Sequence, residues 1–394
     1  MLALATSFRV LQFVVVVCFL VGYSLLTRGD ETIQIFGIQP WEVVQRDIAQ
    51  EQPGGADIRI QCKAVANRAV DQEQVWQYRI LGCQVSDRQI QPRSSAASDD
   101  VPWSSLPADP DATNSQGAFR VRLNAGGWYR LEIRCIHQET VLATGAVEPI
   151  GVGEVFVIAG QSYATNCNDE RLLVQDPMAR VSVWNPKTNS WGIANDPQPA
   201  PDGSDGGSIW PPFGDEIAKR SGVPVGLVNV AVGATSSHQW MPGGVLHQRL
   251  LEMGIRTQRF RAVLWQQGES DVLAETSTNQ YVANLKQIEK EASDAWSFRP
   301  TWFLAKSTHH PTVYNNASGE GQIRAAIDQL CLEVPFRLGP DTDSLQGENR
   351  GGIKSRRHFT GIGQIRAAAL WSDVVLPWIG NRDSLRQSNE SVPP

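Results

Sequence analysis

Residues 31–150 carry apolar side chains at every second position over several short stretches. Turn-rich segments such as residues 52–55 and 124–127 separate these stretches. Alternation of this kind is typical of strands that bury one face and leave the other in water. We therefore predict a small β-sandwich domain, immunoglobulin-like or similar, over residues 31–150. Its predicted strands lie at residues 58–62, 75–80, 119–123 and 128–135.

The pattern changes after residue 150, where apolar runs of strand length alternate with stretches of helical spacing. Strands that alternate with helices imply a mostly parallel sheet covered on both faces, with right-handed crossovers. We predict an α/β domain over residues 151–380 and a polar tail over residues 381–394. The predicted strands lie at residues 155–159, 226–231, 262–266, 302–306 and 335–338, and the predicted helices at residues 211–221, 244–259, 279–296, 319–332 and 361–375.

The first 30 residues differ in kind from the rest. Arg9 precedes an apolar run over residues 10–26, whose length lies between that of a signal-peptide core and that of a short membrane span. Both interpretations place the protein outside the cytoplasm, in a periplasmic, extracellular or outward-facing membrane-anchored location. The sequence leaves open whether residues 1–30 are a cleaved signal peptide or an N-terminal membrane anchor.

Composition excludes some classes of function. A formal net charge of −6 without a run of Lys and Arg argues against a nucleic-acid surface. We expect no cofactor and no metal, and we interpret the adjacent His309 and His310 as a polar loop pair because no carboxylate lies near them at ligand spacing. Cys62 and Cys135 lie in strand-like stretches of one region, where a disulfide and two buried free thiols are equal alternatives.

The apolar run at residues 155–159 ends abruptly in Gly160, Gln161 and Ser162. Ligands in open α/β sheets bind beyond the carboxyl ends of the strands, so Ser162 stands where chemistry is expected. The alternative is that Ser162 only caps the following helix. No Gly-x-Ser-x-Gly elbow and no phosphate-binding or dinucleotide-binding glycine motif offers a competing interpretation.

Three more chemical groups follow Ser162 at later strand ends and loops: Gly233, Gln267 and His358. Their order resembles that of the SGNH hydrolase superfamily. More narrowly, residues 160–162, 265–271 and 358–359 are similar to the sialate O-acetylesterase and acetylxylan esterase group of carbohydrate esterases. The resemblance covers residues 150 to 375. It implies a flavodoxin-like three-layer fold and a serine esterase that removes acetyl groups from sialic acid, xylan or a related acetylated glycan.

The resemblance also implies roles for individual residues. Ser162 is the expected nucleophile and His358 the expected base. The expected oxyanion donors are the backbone N–H groups of Ser162 and Gly233 and the side-chain amide of Gln267. The residues expected to contact the substrate surround the nucleophile and are Gln161, Tyr163 and Asn166.

The sequence departs from the family pattern at two positions. Tyr163 stands where family members usually carry Asn, and Ser355 stands three positions before His358, where the superfamily usually has Asp. Another carboxylate must then orient His358, and we choose Glu269 because it follows the strand that leads to Gln267. Asp341 and Asp343 are weaker alternatives.

Two functions of different class follow from the missing Asp. The first is an active O-acetylesterase with a relocated acid, and the second is a weak or inactive carbohydrate-binding relative that keeps the pocket. Loss of the orienting acid can cost on the order of 10⁴ in rate, but the joint presence of Ser162, Gly233, Gln267 and His358 favours the enzyme. Three tryptophans in the loop over residues 167–212 are either walls of a sugar site or ordinary packing, namely Trp184, Trp191 and Trp210.

Overall fold

The structure is a computed structural model that describes residues 31–47, 54–65, 74–86, 89–91, 101–112, 117–351 and 357–380. The predicted targeting segment, the polar tail and Ser355 lie outside these residues. Among the described residues, no helix has the length and apolar character needed to cross a membrane. The α/β class is confirmed.

The described residues form sixteen strands and six α-helices. The strands are β1 (Glu31–Phe36), β2 (Val43–Gln45), β3 (Gly55–Val65), β4 (Val75–Gly82), β5 (Gln84–Ser86), β6 (Gln89–Gln91), β7 (Ser104–Ser105), β8 (Ala118–Asn124), β9 (Gly126–His137), β10 (Thr140–Gly160), β11 (Val181–Asn185), β12 (Ser190–Ile193), β13 (Val225–Asn229), β14 (Ala262–Gln266), β15 (Thr301–Lys306) and β16 (Phe336–Asp341). The α-helices are α1 (Trp210–Ser221), α2 (Val245–Thr257), α3 (Glu269–Leu273), α4 (Thr278–Trp296), α5 (Ala317–Leu330) and α6 (Gly361–Gly380).

The C-terminal strands form a sheet in the order β12, β11, β13, β10, β14, β15, β16. Every neighbouring pair is parallel except β11 with β12. Side chains of a strand alternate between the two faces of its sheet. On β10, Val155 and Val157 therefore pack with helices α2, α4 and α5, whereas Phe156 and Ile158 pack with α1 and α6. Helices thus cover both faces, and the carboxyl ends of the parallel strands meet at one edge.

Strand β10 is shared between the two halves of the chain. Its first half pairs with β9 in antiparallel fashion, and its second half pairs in parallel with β13 and β14. The N-terminal strands have a hydrophobic cluster of their own, which includes Ile58, Val121 and Ile133. The predicted boundary between residues 150 and 151 falls inside β10, and the β-sandwich assignment of residues 31–150 stays a prediction.

A buried ion cluster joins the two halves at the start of the parallel sheet. Glu154 is fully buried, and its carboxylate accepts hydrogen bonds from Arg46 at 2.7 Å and from Arg261 at 2.6 Å. Gln45 Nε2 adds a third bond at 3.2 Å. Burial opposes ionisation of Glu154, but Arg261 and Arg46 outweigh it and hold the pKa below its usual value. The cluster fixes the N-terminal region to the sheet that carries the site.

The two N-terminal cysteines considered for a disulfide are buried free thiols. Cys62 and Cys135 belong to the hydrophobic cluster of that region, and burial raises the pKa of Cys62 to about 12. Of the two alternatives weighed from the sequence, the structure shows the thiols and not the disulfide.

We expect Glu154→Gln to lower the free energy of unfolding by about 3–5 kcal/mol, because it leaves two buried guanidinium groups without their anion. Urea denaturation followed by circular dichroism measures the change. The matched control is Glu333→Gln, which breaks the exposed pair between Lys286 and Glu333 and should change little. Equal effects of the two substitutions would contradict a structural role for the buried cluster.

Candidate active site

The nucleophile turn is fixed by a close approach between two strands. Gly160, the last residue of β10, has φ of +130°, and a Cβ there would lie 2.1 Å from the carbonyl oxygen of Gln266. Only glycine meets both conditions. The backbone N–H of Gln161 then donates to the same Gln266 carbonyl at 2.9 Å, and Ser162 begins a short 3₁₀ turn. Ser162 therefore stands at the carboxyl end of the central strand.

A cavity of about 270 Å³ lies against Ser162. Four of the predicted site residues share its wall with Ser162: Gln161, Gly233, Glu269 and His358. The side chains of Ser162 and His358 are nearly buried, each with 6% of its surface exposed. The full lining is Gln161, Ser162, Cys167, Gly233, Ala234, Glu269, Ser270, Leu273, His310, Val313, Arg357 and His358.

His358 stands among aromatic and cationic groups. Its ring centroid lies 5.0 Å from that of Tyr163 and 5.6 Å from that of His310. Burial first, and then the positive charges of His310, Arg357 and Arg350, lower the pKa of His358 to about 3. The imidazole is therefore neutral at pH 7 and able to accept the proton of a serine hydroxyl.

Tyr163, which the sequence analysis expects to contact the substrate, lies beneath the cavity. Its side chain is fully buried, and its hydroxyl donates to the carbonyl of Arg357 at 2.8 Å while accepting from Arg350. Tyr163 thus holds the backbone of the residue next to His358. This position does not match the predicted contact with substrate, because the cavity wall does not include Tyr163.

The side chain of Gln267 does not face the cavity either. It is fully buried, and its Nε2 donates to the carbonyl of Thr235 at 3.0 Å and to the carboxylate of Asp271. Asp271 also accepts from the backbone N–H and the hydroxyl of Ser237. Because both amide hydrogens are used inside the protein, the structure does not support the predicted oxyanion role. Gln267 instead ties the loop after β14 to the loop after β13, which carries Gly233.

The backbone N–H of Gly233 reaches the cavity but is already engaged. It donates to Asp202 Oδ2 at 2.8 Å, and the other carboxylate oxygen of Asp202 accepts from the backbone N–H and hydroxyl of Ser204. A carboxylate oxygen therefore occupies the donor that the oxyanion of a tetrahedral intermediate would need. Substrate must displace Asp202 to use this donor.

Glu269 begins helix α3 with its side chain fully buried at the cavity wall. Its Oε1 accepts a hydrogen bond from Ser307 Oγ at 2.5 Å. Burial raises the pKa of Glu269 to about 8, so the carboxyl is largely protonated at neutral pH. The alternatives Asp341 and Asp343 both pair with Arg324, and neither lines the cavity.

Other predicted residues hold the loop that follows the nucleophile. Asn166 is buried, donates to the carbonyl of Gln198 at 2.7 Å and accepts from its N–H at 2.8 Å, so it anchors the loop and does not line the cavity. Gln161 does line the cavity, and its Oε1 accepts from the N–H of Ser270 at 3.0 Å.

The three tryptophans of this loop are packing residues. Trp184 and Trp191 pair with each other at 5.9 Å on β11 and β12, and Trp210 is fully buried on α1 with its indole N–H on the carbonyl of Ala164. None of the three lines the cavity beside Ser162.

Two residues of the site were not found by sequence reasoning. His310 was interpreted as part of a polar loop pair, yet it follows β15 at the same sheet edge as Ser162, and this strand order was the available signal. Asp202 lies 40 residues beyond Ser162 in a loop without periodic pattern, and no sequence signal indicates its contact with Gly233. Within the described residues, no group of three or more His, Cys, Asp or Glu is arranged to hold a metal ion.

Comparison with known proteins finds a family match over part of the chain. Residues 152–299 match the family described as carbohydrate esterase, sialic acid-specific acetylesterase. The suspected family is confirmed over this segment. The match also supports the assignment of this esterase to the carboxylic ester hydrolases.

Solved structures with similarity to this esterase include plant and bacterial proteins. A protein from Arabidopsis thaliana is 18% identical, with a TM-score of 0.46, and the match covers 57% of this chain and 98% of that one. A carbohydrate acetylesterase from Xanthomonas citri is 13% identical, with a TM-score of 0.46, and the match covers 85% of this chain and 72% of that one. The psychrotrophic esterase EstA from Pseudoalteromonas is 14% identical, with a TM-score of 0.37, and the match covers 58% of this chain and 100% of that one. No curated protein matches the chain.

We expect Asp202→Ala to raise kcat/KM for a neutral acetyl ester by about 2- to 10-fold, because the change frees the N–H of Gly233 without a displacement step. Steady-state kinetics with 4-nitrophenyl acetate measures the effect. The control is Asp205→Ala in the same loop, whose side chain pairs with Arg171 at the surface and should leave the rate unchanged. A lower or unaltered rate for Asp202→Ala would show that the carboxylate does not obstruct the donor.

Proposed function

We propose that the chain is a serine esterase that removes O-acetyl groups from a carbohydrate, such as a sialic acid, xylan or a related glycan, on a flavodoxin-like SGNH framework. The observation that carries the proposal is the shared cavity of Ser162 and His358, with Ser162 at the carboxyl end of the central parallel strand. A neutral imidazole and a serine hydroxyl that line one cavity are the two groups that acyl transfer needs.

The reaction would proceed in two acyl-transfer steps. His358 takes the proton of Ser162 as the serine oxygen attacks the acetyl carbonyl, and it returns the proton to the sugar oxygen that leaves. A water molecule then gives a proton to His358 and attacks the acetyl group on Ser162. Acetate leaves, and His358 returns the proton to the serine oxygen. The backbone N–H groups of Ser162 and Gly233 would stabilise the negative oxygen in both steps, once the carboxylate of Asp202 has moved from Gly233.

Glu269 remains our choice for the acid that orients His358. Among the described residues that line the cavity, Glu269 is the one with a carboxyl group. Asp341 and Asp343 are instead bound by Arg324. Its bond to Ser307 and its raised pKa set a condition on this role, because only the ionised form stabilises an imidazolium electrostatically.

The apolar run at residues 10–26 supports a location outside the cytoplasm, with membrane attachment as one form of it. An acetylated glycan is the partner this location would offer. We propose no nucleic-acid partner and no cofactor.

Ser162→Ala should lower kcat for acetyl-ester hydrolysis by roughly 10⁴-fold or more, since it removes the covalent nucleophile. The rate is measured with 4-nitrophenyl acetate, and circular dichroism checks that the fold is kept. Ser270→Ala changes another serine of the same cavity and should stay within a few-fold of the wild type. Unchanged turnover in Ser162→Ala would end the serine esterase proposal.

Glu269→Gln should lower kcat by orders of magnitude at pH 8 and above, where the wild-type carboxyl is ionised. Because its folded pKa is raised to about 8, the wild-type rate should rise with pH up to this value, and the rise should be absent in the variant. A pH profile of kcat for both proteins is the measurement. Full activity of folded Glu269→Gln across pH 5 to 9 would rule out the orienting role.

A further inference from the structure

The cavity holds a second imidazole that the proposed reaction does not use. His310 lies in the loop after β15, lines the cavity beside His358 and has 8% of its surface exposed. Its neighbour His309 points elsewhere, with Nδ1 at 3.7 Å from the carboxylate of Glu320. The two adjacent histidines therefore have different surroundings.

The contacts of Tyr163 favour one tautomer of His310. The hydroxyl of Tyr163 has one hydrogen, and its nearest acceptor is the carbonyl of Arg357 at 2.8 Å. The same oxygen accepts from Arg350 and lies 3.5 Å from Nδ1 of His310. With its only hydrogen used, the tyrosine oxygen can meet Nδ1 only as an acceptor. We infer that Nδ1 of His310 carries the hydrogen and points it toward this oxygen, which leaves Nε2 bare.

The bare nitrogen is the one that does not meet Tyr163, and we place it toward the cavity. Tyr163, which lies on the Nδ1 side, is fully buried beneath the site, whereas His310 itself forms part of the cavity wall. Burial and the neighbouring charges of Arg357, Arg350 and His309 lower the pKa of His310 to about 4, so Nε2 is an acceptor at neutral pH. When a ligand covers the cavity wall and excludes water, a bare imidazole nitrogen there is best paired with a donor of the ligand.

We propose that His310 is a specificity-determining residue whose Nε2 accepts a hydrogen bond from a free hydroxyl of the sugar that carries the acetyl ester. This inference rests on the proposed function and deepens it. A carbohydrate offers hydroxyl donors beside its ester, whereas an aryl acetate offers none. The site would then distinguish the sugar ester from a simple acetyl ester through one polar contact that is lost when its partner is missing.

The kinetic test compares substrates in His310→Phe, which keeps a flat ring against Tyr163 and His358 but removes the acceptor. The substrates are 4-nitrophenyl acetate and the faster of two natural types of ester, an O-acetylated sialic acid and a partially acetylated xylooligosaccharide. We expect the ratio of kcat/KM for the sugar ester to kcat/KM for the aryl ester to fall by roughly 10- to 100-fold. An unchanged ratio would overturn the proposal, whether or not both rates fall.

Two further variants separate the contact from a general disturbance. His310→Gln places an amide oxygen near the position of Nε2 and should recover part of the lost ratio. His309→Gln changes the adjacent histidine outside the cavity and should keep the wild-type ratio. No recovery in His310→Gln relative to His310→Phe, or an equal loss in His309→Gln, would contradict an acceptor role.

A spectroscopic test does not depend on activity. The ¹⁵N resonances of the His310 ring, assigned by their absence in His310→Phe, should show hydrogen on Nδ1 at pH 7. Hydrogen on Nε2 would overturn the inference even if the protein is an active esterase. If the wild type hydrolyses neither sugar ester, the proposed function fails, and the ring resonances still decide the tautomer of His310.

Discussion

The site depends on how closely β10 approaches β14 at its carboxyl end. The backbone of Gly160 lies against the carbonyl of Gln266, and this carbonyl also accepts from the N–H of Gln161. A side chain at residue 160 would push the two strands apart and move Ser162 with them. The same strand begins in the N-terminal region and passes the buried Glu154 cluster, so one continuous element fixes the nucleophile with respect to both halves of the chain.

Electrostatics distinguish this site from a serine triad with an ionised acid in place. His358 is surrounded by His310, Arg350 and Arg357, and these groups and burial keep it neutral over the whole physiological range. A neutral imidazole is in the correct protonation state to accept the serine proton. Its low pKa, however, gives the proton transfer little driving force. Ionisation of Glu269 is opposed by burial in the same way. The imidazolium that forms during the reaction is therefore poorly stabilised. The backbone donors at Ser162 and Gly233 must compensate by stabilising the negative oxygen.

Most strands and helices could be predicted from the sequence, because buried side chains recur with the period of a strand or of a helix. The predicted strand at residues 262–266 matches β14, and the predicted helix at residues 279–296 matches α4 within one residue. The extent of β10 was not readable, because Pro149 and the glycines at residues 151 and 153 break the pattern that marks a continuous strand. Strands β11 and β12 lie inside a segment interpreted as a loop, where Trp184 and Trp191 pack against the sheet.

The sequence located the site better than it assigned the roles within it. The ends of consecutive parallel strands meet at one edge, so Ser162, Gly233, Glu269 and His358 share a cavity as strand order predicts. The direction of a side chain depends on partners far away in sequence. Gln267 turns inward because Asp271 and Thr235 accept its hydrogens, and Asp202 reaches Gly233 across a loop.

The central claim is that Ser162 is a nucleophile activated in this cavity, and covalent labelling tests it most directly. The full-length protein is treated with a fluorophosphonate, which reacts with activated serines, and the adduct is located by peptide mass spectrometry. We predict one adduct per chain, on the peptide that contains Ser162, with loss of acetyl-ester hydrolysis in proportion to labelling. Labelling of a different residue, or an unlabelled Ser162 in a protein that hydrolyses acetyl esters, would contradict the account.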